Sequence, residues 1–329
     1  MNDHATDAMV HGEGARAVLP KQPRAGVALH FTSLPSSHGI GDIGDAALAF
    51  VDALVAMKLQ VWQFLPTGPT AYGDSPYQPL SAFAGNENLI GLEPLVRDGF
   101  LEAQELGSLH DLPRDVVDYG SVIPRKGALL ERAAGRFLDR ADQETRTAFE
   151  EFLRQNGEAW LDDYALFRIL KAQHGERPWP EWSPEFTHRE PEALATVREE
   201  HADKLHAIRV QQYFFETQWS RLKTVANERG VRLFGDMPIY IALDSADAWA
   251  HPEMLLIDED GIPSEIAGVP PDYFSEDGQL WGNPLYDWAY HEQTGFRWWI
   301  DRMQHATALN DLVRIDHFRG FESFWSVPY

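Results

Sequence analysis

The chain contains no cysteine among its 329 residues. That absence removes disulfides, thiolate nucleophiles, iron–sulfur clusters and cysteine-ligated zinc together, and it suits a reducing cytoplasm. No apolar run approaches the roughly 18 residues that would span a bilayer. The first 24 residues, MNDHATDAMVHGEGARAVLPKQPR, hold no apolar core long enough for a signal peptide. A soluble, cytoplasmic protein is therefore expected. Basic charge is scarce as well, with 28 Lys and Arg against 51 Asp and Glu and a formal net charge of −23. Such a field repels phosphate backbones and anionic membranes, so neither nucleic acid nor a membrane is an expected partner. A neutral substrate is indifferent to it.

Several motifs are missing or incomplete. No P-loop occurs. Gly39–Gly44 reads GIGDIG, the spacing of a dinucleotide fingerprint, but seven residues separate it from the preceding strand where a tight turn is needed. The next strand ends in LPTGP, without the acidic residue that would hold a ribose. A glycine-rich loop entering a helix is the better reading. His291–Gly295, HEQTG, lacks the second histidine of a zinc-protease helix, and Asp258–Gly261, DEDG, lacks the further oxygen ligands of a calcium loop.

What is present is aromatic and periodic. Trp, Tyr and Phe make up 12% of the chain, which rules out a disordered tail. Residues 1–24 are small, polar and aperiodic, and read as a flexible extension. AGVALHF (Ala25–Phe31) and VWQFLP (Val61–Pro66) read as buried strands. Between them Ile43, Ala47, Phe50, Val51, Leu54 and Val55 recur at helical spacing, with Asp42 as the expected N-cap. A strand–helix–strand unit of this length implies parallel pairing. A mostly helical insertion follows at about residues 70–200, including Glu150–Leu170, and a long helix is predicted from about His201 to Arg229 before Gly230. VRLFGDMPIYIA (Val231–Ala242) is the third expected strand. A loop-rich excursion, a helix from Phe296 to about Leu309, and a fourth strand, LVRIDHF, complete the pattern. The expected fold class is α/β: a (β/α)8 TIM barrel of which about the first four units are present, residues 25–329 being its N-terminal half. In that fold the chemistry sits on the loops after the strands.

The fourth strand concentrates charge. Alternation places Arg314, Asp316 and Phe318 on one face and Val313, Ile315 and His317 on the other. With Val313 and Ile315 toward helices, Arg314 and Asp316 point to the barrel mouth, and the guanidinium favours the ionised aspartate. Such an aspartate suits a carboxylate nucleophile, and a buried ion pair holding the strands together is the competing reading. Asp236, in GDMP at the end of the third strand, reads equally as a site residue or a turn residue. The loops YGDSPYQ (Tyr72–Gln78), SAFAGN (Ser81–Asn86) and VPPDYFSEDGQLWGNP (Val269–Pro284) mix aromatics with amides and carboxylates, as sugar recognition requires, although loop aromatics commonly just pack.

The stretches HFTSLPSSHGIGDIGD, VWQFLPTGPTAYGDSPYQPLSAFAGN, LFGDMPIY, GVPPDYFSEDGQLWGNPLYDW and VRIDHFRGF resemble the 4-α-glucanotransferases of the amylomaltase or disproportionating type, glycoside hydrolase family 77, in the α-amylase superfamily. The likeness runs from about residue 25 to the last. It implies transfer of a 1,4-α-glucan segment to the 4-hydroxyl of another glucan by a retaining double displacement, with maltodextrin as substrate and with no metal or organic cofactor expected. It implies Asp316 as nucleophile, with Arg314 positioning it. His317 would contact the sugar at the cleavage point, and Asp236 matches the acidic position of the third strand. Tyr77 matches a donor-side platform, and Gln279 and Trp281 belong to the loop that closes over the acceptor. Ser75 and Asn283 join these as substrate-binding candidates. The family's general acid/base glutamate and a further aspartate fall beyond Tyr329. The chain is therefore expected to be a fragment, inactive alone and prone to self-association through exposed half-barrel edges. A retaining α-glucan hydrolase and a non-catalytic glucan-binding fragment are the alternative readings.

Overall fold

A computed structural model describes residues 23–329 except Tyr72, Asp272 and Phe274. The expected extension at residues 1–24 lies outside the described residues for all but Pro23 and Arg24. Seven strands are found among the described residues: β1 (Gly26–Ala28), β2 (Val61–Gln63), β3 (Arg232–Pro238), β4 (Glu265–Val269), β5 (Gln279–Pro284), β6 (Leu312–Asp316) and β7 (Trp325–Pro328). Strands β1, β2, β3 and β6 pair in that order, all parallel. These are the four runs predicted from apolar pattern. Strands β5, β4 and β7 form a second, antiparallel sheet. It lies outside the four runs predicted as strands: β4 and β5 fall in the loop-rich excursion after the third strand, and β7 follows the fourth. The molecule is thus an α/β fold with a parallel sheet and a separate antiparallel one.

Helix α1 (Asp45–Ala56) makes the crossover from β1 to β2 and buries Ala47, Val51 and Leu54. Its N-cap is Gly44, not Asp42. Asp42 is instead buried, where one carboxylate oxygen accepts the Gly44 amide at 2.9 Å. Between β2 and β3 run α2 (Leu92–Arg97), α3 (Tyr119–Arg140), α4 (Gln143–Asn156), α5 (Asp162–Gln173), α6 (Pro184–Thr187), α7 (Pro191–Glu200) and α8 (Ala202–Glu228). A π-helical turn, Gly157–Leu161, joins α4 to α5, so the predicted 150–170 helix is continuous but wider in the middle. Helix α8 ends where predicted, with Gly230 at φ 79°. After β3 come α9 (Ala246–Ala250), α10 (Trp288–Gln293) and α11 (Arg297–Leu309).

The sheet is fixed to α8 by aromatic packing. Phe31 meets Trp62 and Phe64 at 4.7 and 4.9 Å between ring centroids, and Phe64 meets Trp219 of α8 at 5.5 Å. The indole nitrogens of Trp62 and Trp219 donate to the carbonyls of Leu29 and Leu309, so these buried rings carry no unpaired donor. Two buried glutamines of α8 act like strand backbone. Gln212 both donates to and accepts from Gly85, and Gln218 does the same with Gly91. Each amide thereby satisfies a loop that has no strand partner. Asp247 adds a bond from its carboxylate to the Ala82 amide at 2.7 Å. The SAFAGN loop is pinned from two sides.

Strand β6 departs from simple alternation at its end. Val313 and Ile315 pack beside Trp299 and Met303 of α11, as predicted. Pairing stops at Asp316, and His317 turns into the left-handed region with φ 53° and ψ 45°. Phe318 therefore leaves the face it was expected to share with Arg314 and Asp316, and starts a 3-10 turn with 67% of its surface exposed.

Candidate active site

Strand register explains how charge is gathered here. In β3 and β6, Asp236 pairs with Arg314 and Pro238 with Asp316. Neighbouring residues on adjacent parallel strands point to the same side, so Asp236 and Arg314 sit together, with Asp316 two residues farther along. Arg314 bridges both carboxylates. One guanidinium nitrogen lies 2.7 Å from Asp236 Oδ2 and the other donates to Asp316 Oδ1. The Tyr77 hydroxyl donates to the same Asp236 oxygen at 2.7 Å. The Asp236 side chain is 1% exposed, against 42% for Arg314 and 36% for Asp316.

Electrostatics differ between the two ends of this chain of contacts. Burial raises the Asp236 carboxyl above the usual aspartate range, while the Tyr77 hydroxyl and Arg314 pull it back. Burial and the Asp236 carboxylate push the Tyr77 hydroxyl up to about 12. Tyr77 therefore stays a proton donor at neutral pH, and Asp236 is an anchor that locks the tyrosine and the arginine in place. Asp316 is the carboxylate that reaches the open pocket.

That pocket has a volume of about 430 Å³. Of the residues singled out from sequence, Ser75, Tyr77, Gln279, Trp281, Asn283, Asp316 and His317 line it. Arg314 and Asp236 lie behind the lining. The left-handed turn at His317 swings its ring into the pocket, away from Val313 and Ile315. There it stands perpendicular to Trp281, with centroids 4.9 Å apart. Trp281 Nε1 donates to Gln279 Oε1 at 3.0 Å, which fixes the indole edge. Ser75 accepts the Tyr77 amide at 3.3 Å, which shapes the turn presenting the tyrosine.

Asn283 lines the pocket, but its amide is engaged. It donates to Ile241 O at 2.8 Å and exchanges hydrogen bonds with Gln78 at 3.0 and 3.3 Å. Gln78, which was not singled out from sequence, thus ties the SPYQ turn to β5. Tyr240, Ile239, Pro238 and Leu280 also line the pocket and were missed. Burial pushes the Tyr240 hydroxyl up to about 12, and its ring lies 6.4 Å from His317. The IYIA run that contains Tyr240 reads as ordinary strand core, whereas Gln78 could have been found from its place beside Tyr77.

The fold and site define an α/β protein with an aromatic-walled, carboxylate-bearing pocket at the C-terminal ends of parallel strands. The chain belongs to the 4-α-glucanotransferase family of glycoside hydrolase 77, whose model matches residues 29–329. It is 46% identical over 311 residues to a 4-α-glucanotransferase of Streptococcus pneumoniae, covering 94% of this chain and 61% of that protein. It is 47% identical over 307 residues to one of Thermus thermophilus, covering 93% and 60%. An amylomaltase from Streptococcus agalactiae in complex with acarbose superposes with a TM-score of 0.88 at 41% identity, over 93% of this chain and 62% of that one. The chain thus spans about three fifths of the length of the relatives it matches.

Proposed function

We propose that this chain supplies the nucleophile side of a retaining 4-α-glucanotransferase acting on maltodextrins in the cytoplasm. In this reading the four parallel strands are consecutive strands of a (β/α)8 barrel, and the helical stretch at about residues 70–200 is an insertion in it. The observation that carries the proposal is Asp316, which faces the pocket while Arg314 holds it from behind.

The Asp316 carboxylate attacks the anomeric carbon and forms a glycosyl-enzyme as the glycosidic oxygen leaves with a proton. Arg314 keeps the attacking carboxylate aimed and offsets its charge. His317 contacts the sugar bound at the cleavage point, Tyr77 is a donor-side platform, and Gln279 and Trp281 belong to the loop that closes over the acceptor, with Ser75 also lining the pocket. A 4-hydroxyl of a second glucan then attacks the same carbon, gives its proton to the group that protonated the leaving oxygen, and releases the Asp316 carboxylate. Aromatic walls favour this acceptor over water by positioning it and excluding solvent. Asp316 is the single carboxylate among the described residues lining the pocket, so the reading assigns the proton-donating carboxyl to none of them.

The test is incubation of a protein containing this chain with maltotriose, followed by chromatography of the products. A ladder of longer maltodextrins together with glucose is expected. Glucose and maltose without longer chains would replace the transferase with a hydrolase of the same superfamily.

A further inference from the structure

A second chemical cluster lies apart from the pocket, where the loop after β1 meets α2 and α3. His38 is 3% exposed, and its Nδ1 is buried without a hydrogen-bond partner. Glu93 Oε1 lies 3.6 Å from that nitrogen. Asp42, also 3% exposed, uses one oxygen for the Gly44 amide and turns the other toward Lys126 Nζ at 3.8 Å, beyond hydrogen-bond range. One ligand atom from each of His38, Asp42 and Glu93 lies within 4.8 Å of the others. An open space of about 330 Å³, bordered by Asp42, Glu93, Ser36 and Arg114, lies beside them.

The fold holds this cluster in place. Gly44 and Gly91 touch: a Cβ built on Gly91 would lie 2.7 Å from the Gly44 Cα, and one built on Gly44 would lie 3.0 Å from the Gly91 Cα. Only paired glycines permit that approach. It brings Asp42 and Glu93, each two residues from its glycine, to the same point.

We propose that His38, Asp42 and Glu93 form a binding site for one divalent transition-metal ion of the zinc type, with water from the adjoining space completing its coordination. The donor set selects the ion. An imidazole nitrogen with two carboxylates suits zinc, whereas calcium and magnesium prefer oxygen alone. Zinc bonds of about 2.0–2.2 Å require the ligand atoms to draw together by about 1 Å. The Glu93 side chain, 39% exposed at the start of α2, is free to supply that movement. Lys126, fully buried and bonded to Asn88 O at 2.8 Å, places a competing positive charge beside Asp42. The site is therefore weaker than a closed structural zinc site, and removal of that charge strengthens it.

The experiment is isothermal titration of the 329-residue protein with zinc chloride, with magnesium chloride as control. One equivalent of zinc is expected to bind and no magnesium. Glu93→Gln and His38→Ala should each weaken zinc binding at least tenfold, and Lys126→Met should strengthen it. Glu93→Gln decides the matter if His38→Ala fails to fold, because the glutamine has the same shape on a half-exposed side chain. Absence of stoichiometric zinc binding overturns the proposal. So does equal affinity in wild type and Glu93→Gln, which places the metal elsewhere, or unchanged affinity in a folded Lys126→Met, which excludes Asp42.

Discussion

Replacing Arg314 by methionine keeps the aliphatic stem and removes the guanidinium. Asp236, whose side chain is 1% exposed, then retains the Tyr77 hydroxyl as its one hydrogen-bond donor. Breaking a buried ion pair from one side costs about 3–5 kcal/mol, and a hydrogen bond to a charged group is worth about 1.5–3 kcal/mol. Arg314 is 42% exposed, so water can enter the vacated space and screen the remaining charge. The hydrogen-bond range therefore applies rather than the ion-pair one, about 2 kcal/mol, with less than about 1 kcal/mol more from the exposed contact to Asp316. The sign of the pH dependence follows from Asp236. Burial already raises its carboxyl in the folded state, so the ionised group opposes folding increasingly as pH rises above the ordinary aspartate range. Without Arg314 the carboxyl rises further. Urea unfolding at pH 7 should show the full loss, and unfolding at about pH 4.5 a smaller one. Adding Asp236→Asn should recover about 1 kcal/mol at pH 7, since the two residues share one network. A loss below about 0.5 kcal/mol, or an equal loss at both pH values, would refute the role given to this contact.

Asp316→Asn should abolish glucan transfer in a protein containing this chain while leaving its unfolding curve nearly unchanged; activity above about a tenth of wild type would remove Asp316 from the nucleophile role. Gln78→Leu should cost about 1–3 kcal/mol in unfolding free energy, because buried Asn283 loses both of its exchanged hydrogen bonds; no change would mean that water replaces them. Burial lowers the His30 and His305 imidazoles to about 4, below their ordinary 6.5. The unfolded chain therefore binds more protons, and stability present above about pH 6.5 should be lost as pH falls toward 4. The slope of unfolding free energy against pH should flatten in His305→Gln.

The parallel sheet could be read from sequence because each of its strands is an apolar run bounded by a turn or helix signal. Arg314 and Asp316 stood out because charge inside such a run is anomalous. The antiparallel sheet was not legible. Its strands at 279–284 and 325–328 contain proline, the first lacks alternation and the second is only four residues long, and β4 pairs with a segment about sixty residues away. Local propensity has no access to that pairing. The Asp42 cap failed because burial beside Lys126 outweighed a role at the helix end. The face predicted for His317 differed for another reason: side-chain alternation assumes extended backbone, and a left-handed residue ends it. Gln78 acts by holding Asn283, and its place beside Tyr77 in the sequence was the one signal pointing to it.

The left-handed conformation of His317 narrows what mutation can explore at that position. Backbone geometry there admits glycine, asparagine and aspartate readily, and charges a β-branched or bulky residue about 1–2 kcal/mol. The three permitted residues lack the ring that stands against Trp281, while phenylalanine or tyrosine would keep a ring at the conformational penalty. A single substitution at this codon thus loses either the turn or the imidazole. Two demands therefore meet at one residue, a left-handed backbone and a ring against Trp281, and histidine satisfies both.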